Sequence, residues 1–152
     1  MDIPVYLAEY KSDAYADMLA PGTILLTADT IVWINGREIG KPKSTREAID
    51  ILTELSGNMH EVITGVCMRS RNQMESFSVL SEVYFRNLSK DEIEYYIQTF
   101  NPFDKAGSYG IQEWIGYAGI EKIEGSFYNV MGLPVQTLYN ALLYCLLIIF
   151  FS

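Results

Sequence analysis

The pair Asn35-Gly36, set between the runs "TIVWI" and "REIG", constrains this chain more than any other feature. Asn-Gly between apolar runs favours a two-residue hairpin loop with both loop residues at positive φ. Such a loop pairs Ile34 with Arg37, and its continued register sets Lys41 opposite Thr30. Ahead of it, "TILLTAD" reads as a buried strand that breaks at Asp29. Strict alternation would put Asp29 and Lys41 on opposite faces. A bulge at Gly40 would remove that conflict. Asp29 also stands at the carboxyl end of its strand, where open α/β sheets hold their ligands. Two readings stay open at this point. Asp29 caps a turn and Lys41 is a surface charge, or Asp29 binds metal or activates water while Lys41 meets an anion.

The rest of the chain alternates helical and strand patterns. Asp2 can cap a first helix carrying Pro4 in its first turn, with Pro21-Gly22 as its end. Along it, Leu7, Lys11, Ala14, Tyr15 and Met18 form one stripe at helical spacing, Lys11 being the polar exception. Ser44 and Glu47 form a capping box for a helix to about Leu55, closed by Gly57, and Ser89 with Glu92 repeats the device before "KDEIEYYIQTF". "EVITGVCMRS" and "ESFSVLSEVYF" are strand-like runs joined by a polar turn, and a short strand pattern is expected near "IEKIEGSFYNV". Asn101-Pro102 breaks the second capped helix. Interleaved strands and helices predict an α/β fold with a mixed sheet flanked by helices.

Composition narrows the function classes. A chain of 152 residues suits one domain with a real core. The net charge of −8 argues against a nucleic-acid partner, which calls for a basic face, but leaves room for one small polyanion held by a few lysines. Cys67 and Cys145 lie far apart without CxxC spacing, so a reducing, cytoplasmic setting is expected. "ALLYCLLIIFF", residues 141–151, is apolar throughout yet too short for a membrane span, which takes roughly 20 residues. It reads as a buried element, an oligomer contact such as a homodimer would use, or an atypical tail beyond a domain of residues 1–140.

Smaller signals remain. His60, the only histidine, follows a helix end and reads as a structural hydrogen-bonding residue. Glu82 alternates normally and reads as solvent-facing; Trp33 and Trp114 read as core or rim. Lys105 and Gln112 fall in a Gly-rich loop, where polar side chains more often serve binding than packing. Neither a P-loop nor GxGxxG is present, so any phosphate site relies on side chains.

Taken together, "ADTIVWINGREIGKP", "SGNMHEVITGVC", "SEVYF", "DKAGSYGIQ" and "GSFYNVMGLP" resemble, in this order, the Maf family of nucleoside triphosphate pyrophosphatases, from about Leu7 to about Leu138. The resemblance implies hydrolysis of a nucleoside triphosphate to monophosphate and pyrophosphate with a divalent cation, Mg²⁺ or Mn²⁺. It makes Asp29 the proton acceptor for the attacking water and brings Lys11 and Lys41 to phosphate oxygens. Thr30 and Gln112 match positions that set base choice, and threonine after the aspartate resembles the branch acting on dTTP and UTP. The family's opening strand and helix, with a Ser-Pro-Arg-Arg motif, have no counterpart before Asp2. The alternative to an active pyrophosphatase is therefore a catalytically impaired domain that binds nucleotide or another protein.

Overall fold

The structure, a computed structural model, describes the backbone of residues 3–151 and the side chains of residues 3–144. Five strands form one sheet in the order β2-β1-β3-β4-β5, from β1 (Leu25–Ile34), β2 (Arg37–Ile39), β3 (Met59–Arg69), β4 (Met74–Phe85) and β5 (Ile120–Glu124). The α/β class is as expected, with helices on the sheet. Every ladder is antiparallel, however, where the sequence suggests a mixed sheet. The connections explain this. Asn35-Gly36 and the turn at 70–73 are too short to cross over, and short loops join antiparallel neighbours. The helix α2 (Thr45–Leu55) returns the chain so that β3 runs beside β1 in the opposite sense.

The hairpin forms as its loop chemistry requires. Asn35 and Gly36 adopt φ of 53° and 77°, and Ile34 pairs with Arg37. The ladder stops at Val32 and Ile39. Lys41 therefore never pairs with Thr30, and Gly40 leaves the strand instead of bulging within it. On its other side β1 is paired with β3 from Leu25 to Trp33. No strand pairs with the β2-side edge of Leu25–Ile31 among the described residues.

Helices α2 and α3 (Lys90–Phe100) bury one face of the sheet. Leu52, Leu55, Val62, Val83, Tyr96 and Ile97 meet there at 2% exposure or less. Each fully buried leucine is worth about 2 kcal/mol of transfer free energy. Ser89 and Glu92 make both bonds of the capping box. At α2 the Ser44 hydroxyl accepts from the Glu47 amide, while the Glu47 carboxylate turns to the Lys43 amide instead.

The opposite face carries α1 (Ile3–Asp13), which ends well before Pro21-Gly22, with a 3₁₀ turn at Ala16–Met18 following it. The expected cap at Asp2 lies outside the described residues. The buried side of α1 is Pro4, Ala8 and Ser12, not the Leu7–Met18 stripe. Gly65 of β3 explains the switch: a Cβ there would lie 2.2 Å from the Pro4 carbonyl carbon, so the helix rests its backbone directly on the strand. Thr27 Oγ1 then donates to the Ala8 carbonyl at 2.7 Å, and Arg69 Nε to Ser12 Oγ at 2.7 Å.

Downstream, α4 (Trp114–Gly119) leads into β5. The run after Glu124 turns helical instead of extending the strand, because Gly125 sits at φ 126° and Ser126 caps α5 (Phe127–Val130). The last helix, α6 (Val135–Phe151), crosses residue 140 without interruption. Its Leu138, Ala141 and Leu142 pack on Val66, Met68 and Phe77. No helix among the described residues is long and apolar enough to cross a membrane.

Candidate functional site

The end of the β1–β2 ladder opens a cleft at the edge of β1. Because no strand among the described residues pairs with Ala28 to Thr30 on the β2 side, side chains from both faces of β1 reach the same space. Asp29 comes from the α1 face and Thr30 from the face below α5. The cleft has a volume of about 300 Å³ and is lined by Lys11, Asp29, Thr30, Lys41, Lys105 and Gln112, among others. That is the lower end of the range for small-molecule sites. A larger hollow of about 1070 Å³, between Pro21–Ile24 and the β3–β4 turn, holds none of these residues.

Helix α1 delivers Lys11 to Asp29. The Lys11 ammonium forms an ion pair with Asp29 Oδ1 and donates to the Ala28 carbonyl at 3.0 Å. Asp29 is mostly shielded, its side chain 21% exposed, whereas Lys11 remains 49% exposed. Lys41 projects from the irregular segment after β2. That segment is tied down by the Gly107 amide, which donates to the Gly40 carbonyl at 3.2 Å. Gly107 also lies against Val32, where a Cβ would approach a methyl to 3.0 Å, and its φ of 70° favours glycine.

The far wall is the loop from Pro102 to Glu113. Lys105 bonds to Asp104 at 2.8 Å and lies 3.3 Å from Glu113. The Asp104 hydrogen bond raises the Lys105 pKa, and Lys105 in turn holds the Asp104 carboxyl below its ordinary range. Glu113 also accepts from the Tyr96 hydroxyl, whose oxygen accepts the Gly110 amide at 3.0 Å. The loop is thus pinned to α3. Beneath Thr30 runs a polar network: Thr30 Oγ1 and Thr64 Oγ1 are 2.9 Å apart, and Thr64 donates to the Asn129 carbonyl at 2.9 Å.

All five residues expected at a site, Lys11, Asp29, Thr30, Lys41 and Gln112, line this one cleft. The cleft is also lined by residues to which the family resemblance gave no role. Lys105 is the clearest, and its place in a Gly-rich loop was the available signal. Met131 and Gly132 carried none, and neither did Thr64, which lies buried behind Thr30 and outside the lining. His60 lies outside the cleft lining, 1% exposed, with Nε2 2.7 Å from the Tyr109 hydroxyl. Burial lowers its pKa to about 4. Glu82 accepts from the Tyr84 hydroxyl at 2.6 Å.

Chemically, three ammonium groups and two aspartates around a small cleft suit a polyanion delivered to a carboxylate base. The family model described as Maf-like protein matches residues 2–144 of the chain. A dTTP/UTP pyrophosphatase of Bacteroides thetaiotaomicron is 50% identical over 141 residues, 93% of this chain and 73% of that protein. One from Porphyromonas gingivalis is 54% identical over 142 residues, 92% of this chain and 71% of the relative. One from Christiangramia forsetii is 48% identical over 141 residues, covering 93% and 72%.

Proposed function

The chain belongs to the Maf family, and on that premise we propose that it hydrolyses dTTP and UTP to the nucleoside monophosphate and pyrophosphate. The observation that carries the reading is the convergence of Lys11, Lys41 and Lys105 on one cleft around Asp29. A triphosphate hydrolase does little covalent work of its own. It places water in line and neutralises charge as the phosphoryl group transfers.

In this reading Asp29 takes a proton from water while the water oxygen bonds to the α-phosphorus of the α–β anhydride. The bridging P–O bond breaks, and pyrophosphate leaves with the electron pair. Lys11, now paired with Asp29, is placed to exchange that partner for a phosphate oxygen. Lys41 and Lys105 approach the chain from the two other walls. Thr30 and Gln112 face the base.

A divalent cation, Mg²⁺ or Mn²⁺, belongs to the proposal. Among the described residues no three His, Cys, Asp or Glu side chains cluster as a preformed cage. Mg²⁺ commonly takes only one or two carboxylates and fills its remaining sites with water and substrate phosphate. Asp29, with Asp104 across the cleft, fits a cation that arrives with its triphosphate. Bound there, it would neutralise charge developing on the phosphate oxygens.

The free nucleotide, not a nucleic acid, is the expected partner, since a net charge of −8 disfavours binding a phosphate backbone, which calls for a basic face. The buried free thiol of Cys67 supports a cytoplasmic setting. Exposed Tyr139, Leu143 and Tyr144 on α6 offer the surface a homodimer would use.

The test is pyrophosphate release from dTTP, UTP, CTP and GTP, with and without Mg²⁺ or Mn²⁺. Metal-dependent release favouring dTTP and UTP is expected. Asp29→Asn should reduce it by about 100- to 10,000-fold, the usual worth of a general base. Turnover that survives Asp29→Asn would remove Asp29 from the chemistry.

A further inference from the structure

Resting on that reading, we propose that buried Thr64 is a positioning residue: it fixes the Thr30 hydroxyl as a hydrogen-bond acceptor, so that the cleft selects a base carrying a ring N–H. A threonine hydroxyl has a single proton to donate and two lone pairs to accept with. The Thr64 hydroxyl is fully buried and sits 2.9 Å from the Asn129 carbonyl oxygen, which can only accept. Its one proton is committed there. Thr30 Oγ1, 2.9 Å away, must then be the donor in the bond between the two threonines. With its proton turned inward, Thr30 shows the cleft only lone pairs.

The Asn129 carbonyl cannot swing to relax this polarity. The Asn129 side-chain amide donates to the Val62 carbonyl at 3.1 Å and to Ser81 Oγ at 3.0 Å, and its backbone amide donates to Ser126 Oγ at 3.3 Å. Gly132, at φ 110°, keeps the approach to Thr30 clear: a Cβ there would already stand 3.5 Å from Thr30 Oγ1.

Uracil and thymine carry a proton on N3, whereas cytosine N3 is an acceptor. An acceptor held towards N3 bonds the first two bases and meets cytosine lone pair to lone pair. Gln112 cannot make this distinction alone, because its amide offers a donor and an acceptor and can turn over. Leaving a polar group unsatisfied costs about 1–3 kcal/mol, which converts to roughly 5- to 150-fold in affinity.

The experiment compares kcat/KM and calorimetric Kd for UTP and CTP in the parent, Thr64→Val and Thr64→Ser proteins. It adds Kd for N3-methyl-UTP with the parent protein. The parent should favour UTP over CTP at least about 5-fold and bind N3-methyl-UTP correspondingly less well than UTP. Thr64→Val releases the Thr30 proton, so UTP and CTP should move close to parity. Thr64→Ser, which keeps the hydroxyl, should retain the parent ratio. A folded Thr64→Val protein with an unchanged ratio overturns the proposal. So does a parent protein that binds N3-methyl-UTP as well as UTP, whether or not Thr64→Val folds. If neither nucleotide is turned over but the Kd ratios follow this pattern, the inference stands and the pyrophosphatase reading falls.

Discussion

Gly65→Ala is the substitution through which the fold and the cleft can be tested at once. Gly65 pairs with Asp29 across the β1–β3 ladder, so an added methyl would emerge on the face that carries Asp29 and α1. It would meet three backbone atoms of the helix, the Pro4 carbon at 2.2 Å, the Val5 nitrogen at 2.3 Å and the Pro4 oxygen at 2.4 Å. Ordinary carbon contacts begin near 3.5 Å, so α1 must retreat by about 1 Å or more. No side-chain rotamer can absorb the clash, because the obstacle is backbone. The expected loss is about 3 kcal/mol, the upper part of the overpacking range. With a urea m-value of about 2 kcal/mol/M, the unfolding midpoint should fall by about 1.5 M. Since α1 carries Lys11 to Asp29, pyrophosphate release should fall under conditions where the variant is still folded. Gly40→Ala is the control for stability. Nothing lies within 4 Å of its added methyl and its φ is not in the left-handed region, so it should change stability by less than about 1 kcal/mol. A Gly65→Ala protein within about 0.5 kcal/mol of the parent would refute the direct seating of helix on strand.

Two further outcomes follow from buried or capping groups. His60 has a folded pKa lowered to about 4 by burial, against an ordinary 6.5. The unfolded chain therefore binds the extra proton between those values, and stability should decline as pH falls from about 6.5 to about 4, by about 3 kcal/mol in all from this group. Urea midpoints across that range should lose the slope in His60→Gln. Ser89→Ala removes the hydroxyl that accepts from the Glu92 amide and should cost about 1 kcal/mol, read in the same unfolding assay.

Local signals in the sequence were strong where one residue pair decides a conformation. Asn35-Gly36 made its turn, and Ser89 with Glu92 made both capping bonds, because each depends on atoms a few residues apart. The five expected cleft residues came from the family resemblance; spacing alone left Asp29 and Lys41 ambiguous. What the sequence hid is contact at long range. The stripe of α1 misled because its buried side is set by Gly65, more than fifty residues away, and not by helical periodicity. The supposed conflict of faces between Asp29 and Lys41 vanished because the ladder ended early, and ladder length is not written in alternation. Thr64 looked like any strand threonine until Asn129, 65 residues on, supplied the carbonyl that takes its proton.

The edge of β1 that no strand covers among the described residues bears on how the protein behaves in bulk. A bare row of backbone amides and carbonyls is a template on which another chain can add a strand, the first step towards aggregation. Lys11 guards this template: it occupies the Ala28 carbonyl and places a solvated positive charge beside the edge. Lysine at an edge is among the commonest natural gatekeepers. The same side chain thus serves colloidal stability as well as the cleft. A Lys11→Ala protein should lose solubility with rising concentration, and that loss is separate from any loss of turnover.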